Sequence, residues 1–109
     1  MGKHRLGELE EIVLLTVAIL HGEAYGLAIV NEIEARLERK ISIGSLQVVL
    51  KRLEKKDYLL SELGEATKVR GGKRKRYFTV TNLGKQALEE TRDQRMNLWN
   101  AIPKISFNS

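Results

Sequence analysis

The sequence contains no cysteine, one proline, two histidines and only six aromatic side chains in 109 residues. Without cysteine there is no disulfide staple, no thiolate zinc site and no thiol nucleophile, and the composition suits a reducing compartment. His4 and His21 are the only histidines, and no metal-ligand spacing is present. The longest nearly apolar run, Ile12 to Leu20 with Thr16 inside it, is about half the ~20 residues that cross a bilayer, so no membrane span is expected. Glu8, Glu10 and Glu11 precede that run and no small-residue cleavage site follows it, so no secretory signal is expected. A cytoplasmic protein is expected. No Ser-His-Asp arrangement and no phosphate loop ending in Gly-Lys-Ser/Thr occurs, so neither enzyme chemistry nor a cofactor is expected. The few aromatics form no exposed stacking platform on the expected strands, which disfavours RNA.

What is present is a 42% hydrophobic chain long enough for one packed domain. Its charge is unevenly placed. Six glutamates and no Lys or Arg lie between Glu8 and Glu34, whereas seven cations and two acids lie between Arg36 and Lys56. Lys68, Arg70, Lys73, Arg74, Lys75 and Arg76 then follow with no acid among them. The net charge of +5 therefore conceals two cationic blocks.

Hydrophobic periodicity predicts a helix over Gly7 to His21, with an apolar surface wide enough to be buried on most sides in its second half, ended by Gly22. A second helix over Tyr25 to Arg39 has one stripe, Ile29, Val30, Ile33 and Leu37. A third, capped by Ser42, places Leu46, Val49, Leu50 and Leu53 on one face and Ser45, Gln47, Lys51, Arg52 and Lys55 on the other. After Asp57 the period shortens. Tyr58 to Leu63 and the β-branched, aromatic run Arg76 to Thr81 read as strands of an antiparallel hairpin around Gly71-Gly72. A last helix runs from Asn82 to about Ala101, stopped by Pro103, with a flexible tail over residues 104–109.

The order α-α-α-β-β-α is that of a winged helix-turn-helix, mainly helical with a small hairpin, whose third helix reads a major groove. The two cationic blocks fall on that helix and on the hairpin tip, the two elements this architecture presents to a duplex. Arg70, Gly71, Gly72, Lys73, Arg74, Lys75 and Arg76 combine cations with glycines and suit a wing along a phosphate backbone or in a minor groove. A docking module whose basic wing meets an acidic protein is the alternative reading.

Several ordered motifs resemble the PadR family of bacterial transcriptional regulators. They are Leu6-Gly7-Glu8-Leu9-Glu10-Glu11, Tyr25-Gly26, Ile41-Ser42-Ile43-Gly44-Ser45-Leu46, Leu50-Lys51-Arg52-Leu53-Glu54-Lys55-Lys56, Gly71-Gly72-Lys73-Arg74-Lys75-Arg76-Tyr77-Phe78 and Thr81-Asn82-Leu83-Gly84. The resemblance implies a winged-helix DNA-binding domain over residues 1–81 and a C-terminal dimerisation helix over residues 82–103. It implies a homodimeric repressor on double-stranded DNA at a pseudo-palindromic operator. Tyr25, Ser42, Ser45, Gln47 and Lys51 are implied to face DNA, with Lys55 further along the same helix. The family commonly has Tyr in place of Gln47 and Gly in place of Asp57. Gln47 can pair bidentately with adenine or remain solvated, and Asp tolerates the left-handed conformation. Leu9, Leu88, Met96, Leu98, Trp99 and Ile102 are expected at the dimer interface, whose centre the resemblance permits to hold a small planar aromatic effector. Arg92 and Arg95, if buried there, require carboxylates, for which Glu8, Glu10 and Glu11 are the candidates.

Overall fold

The computed structural model describes residues 5–64 and 74–107. Three helices, α1 Glu8–Ile19, α2 Gly26–Leu37 and α3 Ile43–Lys55, precede a hairpin of β1 Leu59–Leu63 and β2 Arg76–Val80, followed by α4 Asn82–Ala101. Each boundary has a local cause. The Gly7 N–H donates to Glu10 Oε1 at 2.8 Å, tying down one orphan donor at the start of α1. Gly22, at φ +84, makes the turn beyond that helix. Glu38 closes α2 in the left-handed region at φ 50. Ser42 caps α3 as expected, its Oγ accepting from the Ser45 N–H at 3.0 Å.

Asp57 is left-handed at φ 64, which turns the chain from α3 into β1. Its carbonyl accepts from Thr81 Oγ1 at 2.6 Å, and the same oxygen caps α4 by accepting from the Gly84 N–H at 2.9 Å. One threonine thus fixes the direction in which α4 leaves the domain. Gly84 is required there, because a Cβ would lie 2.4 Å from the Tyr58 carbonyl oxygen.

The strands pair antiparallel in the register Leu59 opposite Val80 through Leu63 opposite Arg76. Beyond the hairpin, Tyr25 forms a bridge with Tyr77, and the Phe78 N–H donates to the Ala24 carbonyl at 2.8 Å. The entry to α2 is therefore stitched to the outer edge of β2. A single core results, built from Val13, Leu14 and Val17 of α1, Ile29 and Ile33 of α2, Leu46, Val49, Leu50 and Leu53 of α3, and Tyr58, Leu59, Phe78 and Ala87. Full burial of each aliphatic side chain contributes roughly 1.5–3 kcal/mol.

Two sequence expectations change. The second half of α1 is not enclosed: Leu15 and Ile19 are 44% and 49% exposed, because α2, α3 and β2 pack on its other sides while α4 meets it only along an open groove among the described residues. Beyond Pro103, where a tail was expected, Lys104–Phe107 form one 3-10 turn, and the Phe107 ring stands 6.4 Å from Trp99.

The helix α4 is the departure from a rounded shape. Its 20 residues span about 30 Å, yet only Gly84 and Ala87 are buried, and the molecule measures 61 × 32 × 21 Å. No helix among the described residues is long and apolar enough to cross a membrane.

Candidate nucleic-acid interface

The Ser42 cap and the apolar stripe of α3 point four of its residues inward and leave the rest in solvent. Ser42, Ser45, Gln47, Lys51 and Lys55 are all exposed. Ser42 Oγ also donates to Ser45 Oγ at 3.0 Å, so the two hydroxyls sit together at the positive end of the helix dipole. Lys51 and Lys55 lie four apart on the same face as Gly44.

Next to α3 lies an open hollow of about 340 Å³, lined by Tyr25, Gly26, Gln47, Lys75, Arg76 and Phe78. Four of the residues singled out from sequence meet here from three different elements. Tyr25 comes from the start of α2, Gln47 from α3, and Lys75 and Arg76 from the base of the wing. Tyr25 stands half-buried, with its ring edge-on to Tyr77 at 5.7 Å between centroids. Over its face, 4.0 Å from the centroid, lies Lys75 Nζ. That cation–π contact holds an otherwise solvated ammonium at a defined place.

The remaining wing-base cations are held by oxygen atoms. Arg74 Nε donates to the Gly64 carbonyl at 2.7 Å. Arg76 Nη1 donates to Ser61 Oγ at 3.1 Å, and Ser61 in turn donates to Glu54 Oε2 at 2.7 Å. Gln47 does not project freely. Its Nε2 is 3.7 Å from where a Cβ on Gly26 would stand, so the amide lies over the first turn of α2. Arg70, Gly71, Gly72 and Lys73, singled out from sequence as the wing tip, lie outside the described residues.

The acids of α1 are disposed elsewhere. Glu8 accepts from Arg39 at 3.1 Å, Glu10 from Lys56 at 2.8 Å and Glu11 from Arg95 at 3.0 Å. Each glutamate of the first turn thus neutralises a cation from a different element. Pairs as exposed as that of Glu8 and Arg39 add little stability, about 0–1 kcal/mol. Their effect is geographic: none of Lys51, Lys55 and Lys75 enters an ion pair among the described residues, and all three keep their charge for a polyanion. Glu10 is the exception in burial. Its burial pushes the carboxyl up, but hydrogen bonds from Lys56 and the Gly7 N–H, with the charges of Lys56 and Arg52, hold it below its ordinary value of 4.5.

On the other side of the molecule, α1 and α4 enclose a second groove of about 480 Å³, lined by Leu15, Leu88, Met96 and Trp99 with Glu11, Arg92 and Arg95 at its margins. Of the residues expected at a dimer interface, Leu88, Met96 and Trp99 meet here. Leu9 is half-buried against its own core. Leu98 is 71% exposed but does not line this groove, and Ile102 lies beyond it. Leu15 escaped the sequence reading, which had enclosed it. Arg95 pairs with Glu11, one of the candidate carboxylates, although its side chain is 58% exposed rather than buried, whereas Arg92 turns to its neighbour Asp93 at 3.0 Å. Phe78 and Gly26 in the first hollow were also missed. Both stand in the family-like motifs, but one is a core residue and the other a glycine, and neither side chain by itself marks a site.

Comparison with known proteins agrees with this geometry. Residues 14–90 match the profile of the transcriptional regulator PadR-like family. An uncharacterized protein of Lysinibacillus sphaericus is 38% identical over 86 residues, covering 77% of this chain and 74% of its own length. The crystal structure of a PadR family transcription regulator from Clostridium difficile is 30% identical, with a TM-score of 0.66 over 82% of this chain and 91% of that one. A PadR family transcriptional regulator from Eggerthella lenta is 28% identical, with a TM-score of 0.69 over 94% and 88% of the two chains.

Proposed function

The chain belongs to the transcriptional regulator PadR-like family and is a DNA-binding transcriptional regulator; on that premise we propose that it is a homodimeric repressor of a pseudo-palindromic operator. The observation that carries the reading is the hollow at the α3–wing junction. There the ammonium of Lys75, fixed over Tyr25, adjoins Gln47 of α3, so one element able to enter a major groove and one able to grip the flanking backbone share a surface. In this reading Tyr25, Ser42, Ser45, Lys75 and Arg76 hold phosphates, Lys51 and Lys55 extend the contact along the groove, and the tip from Arg70 to Arg74 follows the backbone.

Dimerisation is supported by the uncovered α1–α4 groove. Leu15, Met96 and Trp99, which line it, are 44%, 48% and 63% exposed in the single chain, an apolar surface that a second copy would remove from water. Two copies related by a two-fold axis would present two α3 helices to half-sites about one helical turn, roughly 10 base pairs, apart. Trp99 would then form a flat wall between subunits, where a planar aromatic effector would stack. Repression follows from occupancy of the operator and rests on the family resemblance.

Selection of bound duplexes from a random pool tests the reading. Enrichment of an inverted repeat is expected. Recovery of unrelated sequences in proportion to their input would reject operator recognition, and a half-site without its inverted copy would reject the dimer.

A further inference from the structure

The outward face of α3 carries a residue that its charge does not explain. Helical spacing puts Gly44, Val48, Lys51 and Lys55 in one strip opposite the buried Leu46, Val49, Leu50 and Leu53. Val48 is 52% exposed, the single apolar side chain in that strip. A β-branched residue is a weak helix former, and here about half of it remains uncovered within its own chain. Gly44, one turn before it, is equally unneeded by the fold, since a Cβ there would meet nothing closer than Ser42 Oγ at 3.9 Å. A glycine followed one turn later by an exposed valine, flanked by lysines, makes a shallow apolar notch in a cationic face. Gln47, meanwhile, lies over Gly26 at the edge of the face and leaves the centre to Val48.

In a major groove the one apolar group on a base edge is the C5-methyl of thymine. We infer that Val48 is a specificity-determining residue that packs on a thymine methyl in each half-site, with Gly44 letting the start of α3 approach the base edges closely. The inference rests on the reading of α3 as the groove-bound helix. It adds that the preference at one position per half-site comes from apolar contact rather than from hydrogen bonding.

The test uses the full-length protein and its selected operator, with each thymine of a half-site replaced in turn by uracil, which removes the methyl and keeps the pairing. At one position affinity should fall about four-fold per half-site, the value of burying one methyl group, and roughly 15-fold when both half-sites are changed. Val48→Ala should bind the unmodified operator with the same loss and be indifferent to uracil at that position. Replacing that T·A pair by C·G should weaken binding, and methylating the cytosine at C5 should regain about four-fold. Thermal melting of Val48→Ala, expected unchanged, shows that the fold is intact, and the uracil series on the unaltered protein stands without the variant. Specific binding with no uracil-sensitive position, or a Val48→Ala protein that keeps the full uracil penalty, overturns the role of Val48 alone. Equal affinity for all duplexes overturns operator recognition, and this inference with it.

Discussion

Lys75 Nζ lies 4.0 Å from the centre of the Tyr25 ring, across a junction between the wing and the start of α2. The ring, itself braced edge-on by Tyr77, turns a mobile side chain into a positioned charge beside α3. Tyr25→Leu should therefore weaken DNA binding two- to five-fold per half-site, about 0.5–1 kcal/mol, while Tyr25→Phe, which keeps the ring face, should lose less. Lys75→Ala removes one phosphate contact from each half-site and should reduce the salt slope of the dimer by about two. In a double-mutant cycle, Tyr25→Leu added to Lys75→Ala should cost less than on its own. Full additivity in fluorescence-anisotropy titrations would show that the two residues act separately.

The α1–α4 groove leads to a second expectation. Trp99→Ala removes the largest exposed apolar side chain of α4 and should weaken the homodimer by at least 30-fold, about 2 kcal/mol, the scale of an interface anchor. Sedimentation equilibrium checks it. The monomeric variant should retain its helix content, since Trp99 makes no contribution to the core, and its operator affinity should fall because two half-sites no longer bind together. An unchanged dimer would move the interface away from this groove.

Glu10 links stability to pH. Its carboxyl is held below 4.5 in the folded protein, so the stabilisation from the ionised form is complete above that value and is lost as pH falls through the lower folded value. Glu10→Gln should cost about 1–2 kcal/mol at neutral pH, because a charge-assisted hydrogen bond to Lys56 becomes a neutral one. Its melting temperature should then decline less steeply than that of the native chain below pH 4.5. Parallel melting curves down to acid pH would contradict this.

The turn from α3 to β1 offers a stabilising change and a destabilising one. Asp57→Gly relieves a left-handed backbone and should raise stability by about 0.5–1 kcal/mol, several degrees for a domain of this size. Gly84→Ala should lower it by about 2–3 kcal/mol, because the new methyl would be driven against the Tyr58 carbonyl. Thermal unfolding of both variants, with an opposite sign for each, checks the geometry of this corner.

Much of this arrangement could be read from residue order, and the exceptions share a cause. The stripe Leu46, Val49, Leu50 and Leu53 and the Ser42 cap are local patterns, so α3 appears where periodicity puts it. The left-handed Asp57 and the pairing of Arg95 with Glu11 were likewise accessible, one from residue chemistry and one from the need to neutralise charge. The contact of Lys75 with Tyr25 was not, because it joins residues 50 positions apart through a bridge between Tyr25 and Tyr77 that no local pattern announces. The exposure of Leu15 was misjudged for a different reason. An apolar face left uncovered in the single chain has the same sequence signature as one that faces its own core. Val48 went unnoticed because a lone apolar residue gains meaning only once the face on which it stands is known.

Operator recognition by α3 with the wing base is tested most directly by the salt dependence of binding to the selected duplex. If about six phosphates are neutralised, the plot of log K against log salt should have a slope near −5, and the preference for the selected duplex over an unrelated one should persist as salt rises. A slope near zero, or a preference that disappears once the electrostatic contribution is screened, would contradict the account.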